Sequence, residues 1–162
     1  MIISFDKVPG NVEELKQIPE ASLSSEYASA ALGMLVLLNY EKNPEATMEM
    51  VDFLNGPDNV SAYSKQFYKD RLLGKAYVPK SFFKGATVEN NYEPQMPLTI
   101  EVTENIYSYS EENYCTLYVK SSGADSPRPI KLRKKPSTGQ WFVIDNAALA
   151  DIRRPAAADP WA

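Results

Sequence analysis

The densest group of residues with recognisable chemistry is a basic run near the end of the chain: Arg128, Lys131, Arg133, Lys134 and Lys135. Cations in this density bind carboxylates or phosphates. The competing reading is a solvated strand face, kept soluble by lysine and paired with Glu101 and Glu104 on a neighbouring strand. Tyrosine is the second group. Tyr107, Tyr109, Tyr114 and Tyr118 crowd one stretch, where they make either an amphipathic contact surface or cross-strand aromatic pairs. Trp161, close to the end of the chain, is a large aromatic that either pins the tail onto its own domain or meets a partner.

The chain has no histidine. Ser-His-Asp and Cys-His pairs therefore cannot be assembled, nor can zinc sites of the usual Cys/His kinds. A general base would have to be a carboxylate, a lysine, a tyrosine or the one cysteine. Cys115 falls in an alternating pattern, as a small buried apolar residue would. Glycine-rich phosphate loops and calcium-loop patterns are absent. The acidic pair Glu111 and Glu112 is a weak cation motif, better read as a solvated loop. No catalytic residue, metal ligand or cofactor is assigned.

The net charge is −4. An acidic balance argues against nucleic acid and against anionic membranes as partners. The longest apolar run, Ala30 to Leu38, falls well short of the roughly 20 residues a spanning helix needs. One cysteine cannot close an internal disulfide, and no signal peptide is visible, so a cytoplasmic setting is expected.

The elements that position these groups follow from periodicity. Met1 to Phe5 reads as a short strand or extended arm, and Val12 to Ile18 as a short helix. Ser22 to Tyr40 repeats apolar residues at helical spacing, with Ser22 or Ser24 as the cap, and is apolar nearly all round. Asn43-Pro44-Glu45 opens a helix that Asn55-Gly56-Pro57 stops. Ser61 caps another helix, running to Leu73. From Leu98 the period becomes two: Leu98 to Thr103, Tyr114 to Lys120, Ile130 to Arg133 and Trp141 to Ile144 are strands with one apolar face. Pro136-Ser137-Thr138-Gly139 makes a hairpin turn, and Asn146 to Ile152 a closing helix. Residues 1–162 are read as one α+β domain: helices packed on one face of a curved antiparallel sheet of about four strands. The alternative is a cone-shaped sheet like that of nuclear transport factor 2-like domains, which usually leaves a pocket.

Several stretches together resemble an uncharacterised family of bacterial domains of unknown function. They are Gly123-Ala-Asp-Ser-Pro-Arg-Pro129, Lys131-Leu-Arg-Lys-Lys-Pro-Ser-Thr-Gly139, Trp141-Phe142, Asp151-Ile-Arg153 with Pro155, and Asp159-Pro-Trp161-Ala162. In the helical half they are Asn43-Pro44, Met50 to Leu54 and Asp70 to Leu72. The resemblance implies a bacterial source and makes the loop and tail part of the domain. It carries no activity.

The functional expectation is a non-catalytic binding or protein-interaction domain. It would take a protein or small anionic ligand through Arg128, Lys131, Arg133, Lys134, Lys135, Tyr107, Tyr109, Tyr118 and Trp161. The alternatives are a small-molecule-binding or carboxylate-dependent enzyme domain with a pocket between helices and sheet, and nucleic-acid binding through the basic strand.

Overall fold

In the computed structural model, which describes residues 1–162, the fold is α+β. Five helices pack with a curled antiparallel sheet of five strands, in the order β1-β2-β3-β4-β5. The strands are β1 (Ile2–Phe5), β2 (Leu98–Thr103), β3 (Tyr114–Val119), β4 (Arg128–Lys135) and β5 (Gln140–Asn146). The expected count of about four is corrected by β1. It crosses from the start of the chain to pair with β2, Ile2 opposite Glu101 and Phe5 opposite Leu98. Those edge amides are bonded through contacts some hundred residues apart in sequence, which local patterning does not report.

The central helix α2 (Glu26–Leu35) follows a short α1 (Val12–Lys16). Its cap is Ser25, whose Oγ accepts the Ala28 amide at 3.3 Å. Ser22 and Ser24 do not serve, because Pro19–Ser22 forms a 3-10 turn and Leu23 takes a left-handed φ of 60°. That backbone aims the Leu23 carbonyl at the free edge of β5, where it accepts the Trp141 amide at 2.8 Å. From Ala30 to Leu35 the helix is wholly buried, as its all-round apolar sequence requires. It loosens to a 3-10 turn over Val36–Asn39 rather than continuing as α-helix to Tyr40.

Helix α3 (Pro44–Asn55) is capped by Asn43 and stopped at Gly56, which has φ +105°. Helix α4 (Ala62–Leu72) is capped by Ser61, and α5 (Tyr77–Lys80) is a single turn. The closing helix expected over Asn146 to Ile152 contracts to a 3-10 turn at Ala147–Leu149. Asp151 then turns left-handed, φ 55°, and sends the chain back along the β3–β4 loop.

Leu98, Ile100, Val102, Cys115, Leu117, Ile130, Leu132 and Val143 point to the helices and join them in one core of 34 buried residues. Helices and sheet meet closely: the void beside Gly33, Val51, Leu54, Tyr68 and Val143 holds only about 10 Å³. That is at the lower limit for one water. No helix is long and apolar enough to cross a membrane.

Candidate functional site

Strand alternation divides the basic run between two faces. Lys131, Arg133 and Lys135 project from the face turned away from the helices. Lys134 takes the other direction, its Nζ 5.9 Å from the Trp141 ring centre. Arg128 is committed to the fold: its Nη2 donates to the Asp151 carbonyl at 3.3 Å, and its Nε is buried without a partner. The five-residue run is therefore three outward cations and two that face inward.

The neighbours of those cations are not the ones the pattern suggested. Strand β3 lies between β2 and β4, so Lys131 and Arg133 cannot pair with Glu101 and Glu104 along adjacent strands. Lys131 stands opposite Thr116 on one side and Asp145 on the other; Arg133 stands opposite Tyr114 and Phe142. Tyr114 lies between the two cations, with Lys131 Nζ 5.0 Å and Arg133 Cζ 5.4 Å from its ring centre. Each such contact is worth about 0.5–1 kcal/mol at an exposed site. The ion pairs of the molecule are Lys80–Glu93, Arg153–Asp125 and Arg154–Asp159. None involves this strip, so its cations hold no carboxylate within 4 Å.

The tyrosines also separate. Tyr118 is half-buried on the outer face, opposite Thr103 and Pro129, and extends the strip toward β2. Tyr107 is exposed on the β2–β3 connection, beside Ile106. Tyr109 leaves the strip altogether: its Oη donates to Glu26 Oε1 at 2.7 Å, at the start of α2. Burial and that bond to Glu26 raise the Tyr109 pKa. Trp161 does not dock. Its side chain is 91% exposed, and only its amide is held, by Asp159 Oδ1 at 2.9 Å.

Cys115 is buried as expected, and burial pushes its thiol up to about 11, against the hydrogen bond from Tyr109 and with smaller help from Glu26 and Glu104. A raised value in the folded state means that the thiolate forms more readily in the unfolded chain. This contribution to stability is complete below the free-thiol value of about 8.5 and is lost as pH climbs toward about 11. Cys115 is therefore expected to resist a thiol-specific aromatic disulfide reagent at pH 8 and to react fully only after unfolding in urea. A native protein that reacts at the rate of free cysteine would contradict this.

A second feature of the outer face has no counterpart in the sequence reading. Strand β2 pairs with β1 through Leu98–Glu101 but with β3 only through Val102 and Thr103. The sheet splits there, and residues 81–85 fill the split. The Lys84 amide donates to the Thr99 carbonyl at 2.8 Å, and the Ser122 amide to the Ser81 carbonyl at 3.0 Å. Above this segment lies a cleft of about 730 Å³, lined by Lys84, Glu101 and Lys120 over Phe82, Phe83 and Pro127. This cleft lies on the face of the sheet away from the helices, not between helices and sheet where the alternative reading places a pocket. Lys84, Glu101 and Lys120 are distant in sequence and belong to no motif. The one legible signal was Lys120, which continues the polar alternation of β3.

The loop and tail singled out by the family-like signature interlock. Tyr92 is fully buried, stacks on Tyr77 at 5.7 Å and donates its hydroxyl to the Arg153 carbonyl at 2.7 Å. A Cβ on Gly123 would stand 2.5 Å from that hydroxyl. Gly123, by lacking a side chain, and Arg153, through its backbone, therefore close the fold.

No group of three or more carboxylate or thiol side chains converges to hold a metal. A family model described as a domain of unknown function (DUF6935) matches residues 7–156. No curated protein and no solved structure matches the chain.

Proposed function

We propose that this chain, which belongs to the DUF6935 family of domains of unknown function, is a non-catalytic binding domain that takes an acidic segment of a partner protein on the outer face of its sheet. One observation carries the reading: Tyr114 lies between Lys131 and Arg133, and neither cation has a carboxylate partner, in a chain whose net charge is −4. Free cations gathered on one face of an acidic protein form a local positive field that steers a negative ligand. Tyr114 and Tyr118 add rigid contact area beside them, the combination on which interface energy concentrates. The strip is short, and its cations are interleaved with Asp145 and Thr116, which suits a peptide carboxylate better than a continuous phosphate backbone. A cytoplasmic setting is part of the same reading, since the lone buried thiol fits a reducing compartment; a bacterial source is what the family resemblance implies.

Fluorescence anisotropy against an array of labelled Asp/Glu-rich peptides tests it, with a single-stranded oligonucleotide as a competing arm. The wild type should bind acidic peptides with an affinity that falls as salt rises. The Lys131→Glu/Arg133→Glu variant should lose at least tenfold, about 1.4 kcal/mol, while its melting temperature falls only by the few degrees that the two contacts with Tyr114 are worth. A Lys65→Glu/Lys69→Glu variant, at exposed positions of α4 outside the strip, should bind as wild type does. Equal peptide affinity for wild type and the strand variant would sink the reading, and preference for the oligonucleotide would replace it.

A further inference from the structure

We infer that the cleft over the split between β2 and β3 is a binding site for a small organic anion with a flat apolar body. The inference is independent of the peptide reading, because it rests on different residues. The cleft's volume, about 730 Å³, is in the range that houses small ligands. Its walls are preformed. Lys84 is held on both sides of its backbone, donating to the Thr99 carbonyl at 2.8 Å and accepting the Gln95 amide at 2.9 Å. Ser81 is tied to the far side by the Ser122 amide and by the Ser121 hydroxyl at 2.6 Å. No ordering of the main chain is needed to make this site, which removes a main cost of binding.

The lining specifies the ligand. Ile2 and Pro127 offer exposed apolar surface to a flat hydrocarbon or aromatic body, over a floor closed by the buried Phe82, Phe83 and Ala86. Lys84 and Lys120 supply two cations, and Glu101 one carboxylate. None of the three is in an ion pair, and none donates or accepts a side-chain hydrogen bond. The balance of two cations to one carboxylate leaves one positive charge to be met, so the matching ligand carries a carboxylate or a phosphate at one end. Glu101 gives a hydroxyl or amine on the ligand a partner and opposes a second carboxylate beside it. A lysine reads a carboxylate and a phosphate alike, as a point charge. The headgroup is therefore left for the experiment to distinguish.

The probe is 8-anilinonaphthalene-1-sulfonate, an anion on an aromatic body whose fluorescence rises when it leaves water, titrated into the full chain. Wild type should give one saturating site that weakens with salt. Lys84→Glu/Lys120→Glu should bind at least tenfold more weakly, and so should Thr103→Trp, which fills the cleft and keeps both lysines. Lys65→Glu/Lys69→Glu should bind as wild type, and near-ultraviolet circular dichroism should confirm that all variants are folded. Benzoate or phenyl phosphate should displace the probe, the lower effective concentration identifying the headgroup, while neutral benzyl alcohol should not. Unchanged probe binding in both cleft variants, displacement by benzyl alcohol as readily as by the anions, or no saturable site in the wild type would each overturn the assignment.

Discussion

Tyr92→Ala is expected to destabilise the protein by about 3–5 kcal/mol, the largest effect of any single substitution considered. Its ring is fully buried and stacked at 22° on Tyr77, so truncation leaves a ring-sized cavity where the Gly123 loop and the Arg153 segment meet. Its hydroxyl is the donor to the Arg153 carbonyl, and Gly123 is adjacent to it only because glycine has no side chain. The tail is also held there by the Arg153 amide on the Gly123 carbonyl at 2.9 Å, the Ala156 amide on the Val88 carbonyl at 3.0 Å, the Arg128 guanidinium on the Asp151 carbonyl and the buried Ile152. The Arg153–Asp125 pair is exposed and adds little. At roughly 2–4 °C per kcal/mol for a chain of this size, scanning calorimetry should show a fall of roughly 6–20 °C. Tyr92→Phe keeps the ring and should cost about 1 kcal/mol, the worth of the one hydrogen bond. If the alanine variant melts within a few degrees of wild type, the loop and tail are not held by this ring.

The second large effect is expected at Gly85. Its φ of +91° is one that a side chain rarely adopts, and a Cβ there would stand 2.4 Å from Gln95 Cγ and 3.0 Å from the Gln95 amide nitrogen. That amide is bonded to the Lys84 carbonyl, so it cannot withdraw without breaking the turn. Backbone strain and steric contact together place Gly85→Ala at about 2–4 kcal/mol. The damage should be local as well as global, because residues 81–85 form the floor of the cleft. Hydrogen exchange should quicken at the Gln95 and Lys84 amides more than at those of β4 and β5. A variant with wild-type stability and unchanged exchange at Gln95 would show that the segment accommodates a side chain. By contrast, Gly74 and Gly139 also have positive φ but open space around them, so only the strain term applies there.

Most of the element boundaries were readable from the chain itself because they are set by neighbours in sequence. Asn43 and Pro44 begin α3 and Gly56 ends it, since capping and φ are local properties. Ser61 caps α4 for the same reason. The period-two stretches became strands, and Cys115 was placed inward by alternation alone. Reading failed where a distant segment completed an element. Strand β1 needed β2, and the left-handed turn at Leu23, which moved the helix start to Ser25, is answered by the Trp141 amide.

The candidate surfaces divide in the same way. Composition determined that the chain has no imidazole and one thiol, and that Lys131 and Arg133 share a strand face. Those follow from residue identity and from the two-residue period of a strand. Only the tertiary structure decided that Tyr114 lies between them, that Tyr109 turns away to Glu26, and that Arg128 is taken up by the Asp151 carbonyl. It also decided that a cleft exists, because Lys84, Glu101 and Lys120 meet where the sheet splits. The physical reason is that the pattern of one strand sets which way its side chains point. Which strands lie beside it, and where they part, depends on hydrogen bonds closed between residues far apart in the chain.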